Sequence, residues 1–181
     1  MIAGLAFVVV RGPALAGKTA VARRLAERLS GKVAHISQDD LWERWIVGHD
    51  DDLAQETELI YRQIKLLAVA YIRSGYHVVV DGAFAVYRDG IAATHDSDLR
   101  ELLGLVSTIR NVRPLLVAVT APLDALLARA RESQRWDEPA AEAMYRAFEA
   151  GALPSPLVLD TSALSPDEAV ERILAQLGSS P

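Results

Sequence analysis

Eight consecutive residues, Gly12-Pro13-Ala14-Leu15-Ala16-Gly17-Lys18-Thr19, fit the pattern G-x-x-x-x-G-K-[ST], a loop that wraps the phosphates of a nucleotide. The chemistry separates residue by residue. Gly12 and Gly17 allow backbone conformations and a close phosphate approach that a side chain would obstruct. The free N–H groups of the loop, and of the first helical turn through Ala20, point at one spot where the helix dipole also favours an anion. Lys18 is expected to reach the β- and γ-phosphates, and the Thr19 hydroxyl to sit on a Mg²⁺ that bridges them. ATP and Mg²⁺ are therefore the expected ligands of residues 12–20.

Three further groups of residues carry chemistry. Asp39 and Asp40 follow the short apolar run Val33 to Ile36. Asp39 is read as the base that orients and deprotonates an acceptor hydroxyl, because phosphoryl transfer needs a positioned base near the γ-phosphate. Asp40 is read as a helix cap or an auxiliary acceptor contact. Asp81 ends the apolar run Val78-Val79-Val80 and is expected to join Thr19 in the Mg²⁺ shell. Arg129, Arg131 and Arg135 precede the polar stretch Trp136-Asp137-Glu138-Pro139. That pattern reads as a lid, at about 129–140, closing cationic groups on the transferring phosphoryl. Arg44, Phe84 and Arg88 are candidate acceptor contacts, with Trp42 and Tyr87 beside them.

The elements that must position these groups are legible from periodicity. Leu5 to Val10 is a strand-length apolar run, and Val21, Ala22, Leu25, Ala26 and Leu29 form a helical stripe after the loop. Helical spacing recurs from Leu53 to Ser74 and from Leu99 to Val106, where Asp96, Ser97 and Asp98 are expected to cap. Strands are expected at 33–36, 77–80, 114–119 and 156–159. Pro122 opens a helix, and Ser165-Pro166-Asp167-Glu168 reads as a capping box. The acidic run His49 to Asp52 reads as a solvated loop. Strands alternating with helices predict an α/β fold with a parallel sheet, and ligands then gather at the carboxyl ends of its strands.

Composition narrows the class. A chain of 181 residues fits one domain with a sizeable core. A net charge of −5 argues against a broad nucleic-acid surface, although a local basic channel stays compatible with it. The absence of Cys leaves no disulfide framework and no thiolate chemistry, which suits a cytoplasmic chain. The apolar start lacks a basic flank and runs into the phosphate loop, so it reads as the first strand rather than a leader.

Val9 to Lys18, Asp39-Asp40-Leu41, Val78 to Phe84, Ala121-Pro122-Leu123 through Arg129 and Arg131, and Leu159-Asp160-Thr161 together resemble the small P-loop kinases. Within them the chain looks closest to chloramphenicol phosphotransferase-like proteins, with polynucleotide 5′-hydroxyl kinases and zeta toxins more distant. The resemblance implies a P-loop NTPase fold, a five-stranded parallel sheet of order 2-3-1-4-5 between helices, and a lid. It also implies Asp39 as the acceptor-activating carboxylate. Leu15 stands where many small kinases carry another Gly, and Gly82 and Ala83 follow Asp81 where acceptor contacts differ among them.

The expected activity is transfer of the γ-phosphate of ATP to a hydroxyl of a small molecule. Two alternatives stand beside it: a polynucleotide 5′-hydroxyl kinase, suggested by the Arg-rich lid and Arg44, and a non-catalytic ATP-binding module. A GTP switch is disfavoured, since the single Asn, Asn111, is followed by Val112 and Arg113 rather than by the guanine-reading pattern.

Overall fold

The structure, a computed structural model, describes residues 4–48, 53–151 and 153–179. The first half runs β1 (Leu5–Arg11), α1 (Lys18–Arg28), β2 (Val33–Ser37), α2 (Gln38–Arg44), α3 (Leu53–Arg73) and β3 (His77–Gly82). A hairpin follows, β4 (Ala85–Arg88) and β5 (Ile91–Thr94), and then α4 (Asp96–Ser107) and β6 (Val112–Thr120). The chain continues through α5 (Leu123–Glu132), α6 (Glu138–Gly151), β7 (Leu157–Asp160) and α7 (Pro166–Ser179). The acidic run His49 to Asp52 lies outside the described residues.

Five strands form a parallel sheet in the order β2-β3-β1-β6-β7. With the hairpin strands set aside, this is the expected 2-3-1-4-5 arrangement of a P-loop kinase fold. β1 lies at the centre, and Phe7 to Val10 are fully buried, as befits a parallel strand covered by helices on both faces. Its side chains alternate between the two sides. Val8 and Val10 meet Val21, Leu25, Leu126 and Ile173 from α1, α5 and α7. Phe7 and Val9 meet Ile60, Ile64, Leu99 and Leu102 from α3 and α4. The hairpin lies outside this sheet and closes a third, small cluster of Ala14, Ala85 and Met144.

The register fixes what stands at the carboxyl edge. Val10 of β1 lies beside Asp81 of β3, and Asp81 beside Ser37 of β2. The phosphate loop, the β3 carboxylate and the start of α2 thus emerge next to one another. The capping box at α7 is present as expected, with the Ser165 N–H bonded to Glu168 at 2.8 Å and the Glu168 N–H to Ser165 Oγ at 3.3 Å.

Two expected caps are corrected. At α2 the cap is Ser37, whose Oγ accepts from the Asp40 N–H at 3.5 Å, leaving Asp39 and Asp40 in the first turn. At α4 the cap position falls to His95 and makes no side-chain cap bond, because Asp96 turns inward to an ion pair with Arg11 at 2.8 Å.

Candidate nucleotide and acceptor site

The loop between β1 and α1 is shaped by contacts on both sides. A Cβ on Gly12 would stand 2.0 Å from the Val119 carbonyl oxygen, so only glycine lets the loop pass β6. Gly17 caps α1 in the left-handed region at φ 83°, a conformation glycine adopts without steric cost. Leu15 adopts that region too, at φ 65°, where a side chain costs about 1–2 kcal/mol. The strained residue is clamped. Arg129 of α5 donates through Nη1 to the Leu15 carbonyl at 2.8 Å and through Nη2 to the Thr161 carbonyl at 3.1 Å. Thr161 Oγ1 lies 2.9 Å from the Ala16 carbonyl, which closes the clamp on the loop.

Lys18 donates to the Pro13 carbonyl at 2.9 Å and so folds back over the loop. Desolvation pulls its ammonium below the ordinary lysine value, opposed by the charges of Asp39 and Asp81. An arriving phosphate would add negative charge beside this desolvated ammonium. Next to Lys18, Thr19 Oγ1 donates to Asp81 Oδ2 at 2.7 Å, while Asp81 Oδ1 lies 2.6 Å from His35 Nε2. Two hard oxygens beside a phosphate cradle suit Mg²⁺, which binds through one or two protein oxygens together with substrate phosphates. Among the described residues no group of three or more His, Asp or Glu side chains could hold a metal by itself.

A cavity of about 440 Å³ opens in front of Lys18 and Thr19 and includes Gln38, Asp39, Trp42, Tyr87, Arg135, Trp136 and Met144 in its lining. Asp39 is half exposed there, with its Oδ2 3.4 Å from Arg135 Nη1. Arg135 also pairs with Glu43 and lies 5.8 Å from the centre of the Trp136 ring. The structure therefore gathers Lys18, Thr19, Asp39, Asp81 and Arg135 at one edge of the sheet.

The three arginines expected to form a lid part company. Arg129 braces the loop, Arg135 meets Asp39, and Arg131 points to Glu138 at 2.8 Å with most of its side chain exposed. None of the four candidate acceptor contacts lines the cavity. Asp40 and Arg44 pair with each other at 3.2 Å on the exposed side of α2. Phe84 turns into the core with 1% exposure and stacks on Tyr61 at 5.5 Å. Arg88 sits at the exposed tip of the hairpin, 3.5 Å from Asp89.

Trp42 and Tyr87, expected beside the acceptor, do line the cavity, whereas Gln38 and Arg11 escaped the sequence reading. Gln38 accepts the Phe84 N–H at 3.0 Å and lies against Gly82, where a Cβ would come within 2.8 Å of Gln38 Cβ. Tyr87 and Trp136 meet at 6.3 Å over the cavity. The hairpin that carries Tyr87 had a signal, Asp89-Gly90, with φ of 51° and 81°, the two left-handed residues of a tight hairpin turn. Arg11, the residue before the loop, is 1% exposed. Its guanidinium lies 4.9 Å from the Phe148 ring, and its Nε and Nη1 have no partner among the described residues. Burial lowers its pKa against the pull of Asp96.

The comparisons agree with this fold. A family model described as AAA domain matches residues 7–153. The APS kinase of Mycobacterium tuberculosis, solved with AMPPNP and APS, superposes with a TM-score of 0.68 at 19% identity, covering 98% of this chain and 99% of that one. The shikimate kinase of Aquifex aeolicus gives 0.63 at 15% identity over 95% of this chain and 96% of that one. A sugar kinase from Janibacter gives 0.60 at 19% identity over 98% of this chain and 96% of that one. No curated protein matches the chain. No helix among the described residues is long and apolar enough to cross a membrane.

Proposed function

The chain belongs to the AAA domain family, and from that premise we propose that it is an ATP-dependent phosphotransferase that moves the γ-phosphate to a hydroxyl of a small molecule. The observation that carries the reading is Asp39. A carboxylate at the end of β2 shares one cavity with the phosphate-loop residues Lys18 and Thr19, and a lid arginine stands over it. The likeness to APS, shikimate and sugar kinases supports it. The narrower kinship with chloramphenicol phosphotransferase-like proteins rests on the sequence motifs alone.

In this reading residues 1–181 form one kinase domain, and residues 12–20 hold the triphosphate of ATP. Lys18 leaves the Pro13 carbonyl for the β- and γ-oxygens. Thr19 and Asp81 would hold Mg²⁺, which would draw charge from the phosphates when bound. Asp39 orients the acceptor hydroxyl and takes its proton as the acceptor oxygen bonds to the γ-phosphorus. The bond from that phosphorus to the β–γ bridging oxygen breaks, and ADP leaves with the electron pair. Arg135, on the lid at about 129–140, turns from Asp39 toward the transferring group and stabilises its charge. Arg129 serves by holding the loop, and Arg131 stays with Glu138 outside the chemistry.

The test is transfer of label from γ-labelled ATP, with Mg²⁺, to a panel of nucleosides, aminocyclitols, phenicols and 5′-hydroxyl oligonucleotides. Loss of a general base lowers the rate by roughly 10²–10⁴-fold. Asp39→Asn is expected to fall in that range while ATP affinity stays within about threefold, a change too small to reflect a lost phosphate contact. Full transfer by Asp39→Asn would remove Asp39 as the base. Tight ATP binding without transfer to any acceptor would establish the non-catalytic module instead. Transfer confined to the oligonucleotides would make the protein a polynucleotide kinase.

A further inference from the structure

We infer that the acceptor is a neutral molecule with a flat ring system and a free hydroxyl, and that an acceptor carrying its own carboxylate, sulfate or phosphate is excluded. The inference rests on the phosphotransferase reading and adds the substrate class to it. The cavity lining is of two kinds. Lys18 and Thr19 stand ready for phosphate. Trp42 of α2, Val86 and Tyr87 of β4, Trp136 of the lid and Met144 of α6 supply rings and apolar surface. Tyr87 and Trp136 are inclined at 51° with centres 6.3 Å apart, which leaves ring faces and edges for a planar guest.

Charge decides the class. Among the described residues that line the cavity, Lys18, Asp39 and Arg135 alone carry charge. Lys18 is committed to the nucleotide, and Arg135, paired with Asp39 and Glu43 in the ligand-free structure, to the transferring phosphoryl group. An anionic acceptor would therefore place its charge among alanines and aromatic rings with no cation for it, and an unpaired charge in such surroundings is strongly disfavoured. A cationic acceptor would have to take Asp39 as its counter-ion and so disable the base. Size points the same way. The cavity of about 440 Å³ must also admit the end of the triphosphate, so the space left suits one or two rings rather than a polymer end.

The test uses matched probes that differ in charge: phenylethane-1,2-diol against mandelate, and adenosine against 3′-adenylate. Two readouts run on the wild-type protein with ADP or γ-labelled ATP and Mg²⁺. Binding is followed by quenching of tryptophan fluorescence, since Trp42 and Trp136 line the cavity while Trp45 lies 62% exposed outside it. Label transfer is followed in parallel. The expected result is that each neutral member binds at least about tenfold more tightly than its anionic partner, a difference of about 1.4 kcal/mol, and receives the label. In Val86→Arg, which sets a cation in the apolar lining, the preference is expected to narrow or reverse. Equal or tighter binding of the anionic members, or no quenching by either neutral one, overturns the inference. Quenching by the neutral members without label transfer to them upholds the cavity's selectivity and overturns the phosphotransferase reading instead.

Discussion

Arg129 and Arg131 lie two residues apart on α5 and look interchangeable by type, yet their removal should have unlike effects. Arg129 makes charge-assisted bonds to the Leu15 carbonyl at 2.8 Å and the Thr161 carbonyl at 3.1 Å from a half-buried position. Hydrogen bonds to charged groups contribute about 1.5–3 kcal/mol, and partial exposure puts this set near the lower end, at about 2 kcal/mol. Part of that loss returns. Freed of its clamp, Leu15 can leave the left-handed region, recovering up to about 1 kcal/mol of strain. Arg129→Ala should thus lose about 1–2 kcal/mol, which for a chain of this size lowers Tm by roughly 2–8 °C. The relaxed loop no longer presents its N–H groups in place, and ATP affinity should fall about tenfold. Arg131→Ala removes only an exposed pair with Glu138, and such pairs often contribute nothing measurable, so Tm should stay within about 1 °C. Differential scanning fluorimetry and calorimetric ATP titration of the two variants side by side would check this. Equal Tm and equal ATP affinity in both would refute the bracing role of Arg129.

Three further outcomes are expected. Thr19→Val should leave nucleotide affinity nearly indifferent to Mg²⁺, whereas the wild type tightens as Mg²⁺ is added; ADP titrations with and without the metal would show it. Asp96→Ala leaves the buried Arg11 charge unpaired and should cost about 3–5 kcal/mol, read as a large drop in the urea midpoint. Arg11→Met combined with Asp96→Leu should cost far less. Burial raises the Tyr61 phenol above its ordinary pKa of 10.0. Above that pH the unfolded chain releases a proton that the folded chain keeps, so stability falls as pH rises through 10. The urea midpoint should therefore drop between about pH 9 and about pH 11 in the wild type, and drop less in Tyr61→Phe.

What the sequence made legible was local. The loop from Gly12 to Thr19 is a contiguous pattern, Asp81 ends an apolar run and Asp39 follows one closely, so their meeting at one sheet edge followed from the strand order. The lid arginines could not be sorted in the same way, because their partners are remote. Arg129 reaches Leu15 across 114 positions and Arg135 reaches Asp39 across 96. Phe84 looked like a pocket residue and proved to be core, since a positive φ of 49° turns it inward onto Tyr61. Asp40 was read as a possible cap, but Ser37, one step before the helix, has the shorter reach to the free N–H groups. The Asp89-Gly90 turn is a hairpin signal, but the strands on either side are only four residues long, too short to show a clear alternation.

The contact between Gly82 and Gln38 constrains how this protein can change. Enzymes that hydrolyse ATP with the same loop commonly place a glutamate directly after the strand-ending aspartate, where it activates water. Here that position is filled from outside: any side chain at 82 would collide with Gln38, and moving Gln38 would release the backbone of Phe84 and loosen the turn into the hairpin that carries Tyr87. A larger residue at 82 would call for a smaller one at 38 and would loosen the hairpin in the process. Positions 82 and 38 are therefore expected to vary, when they vary, as a pair.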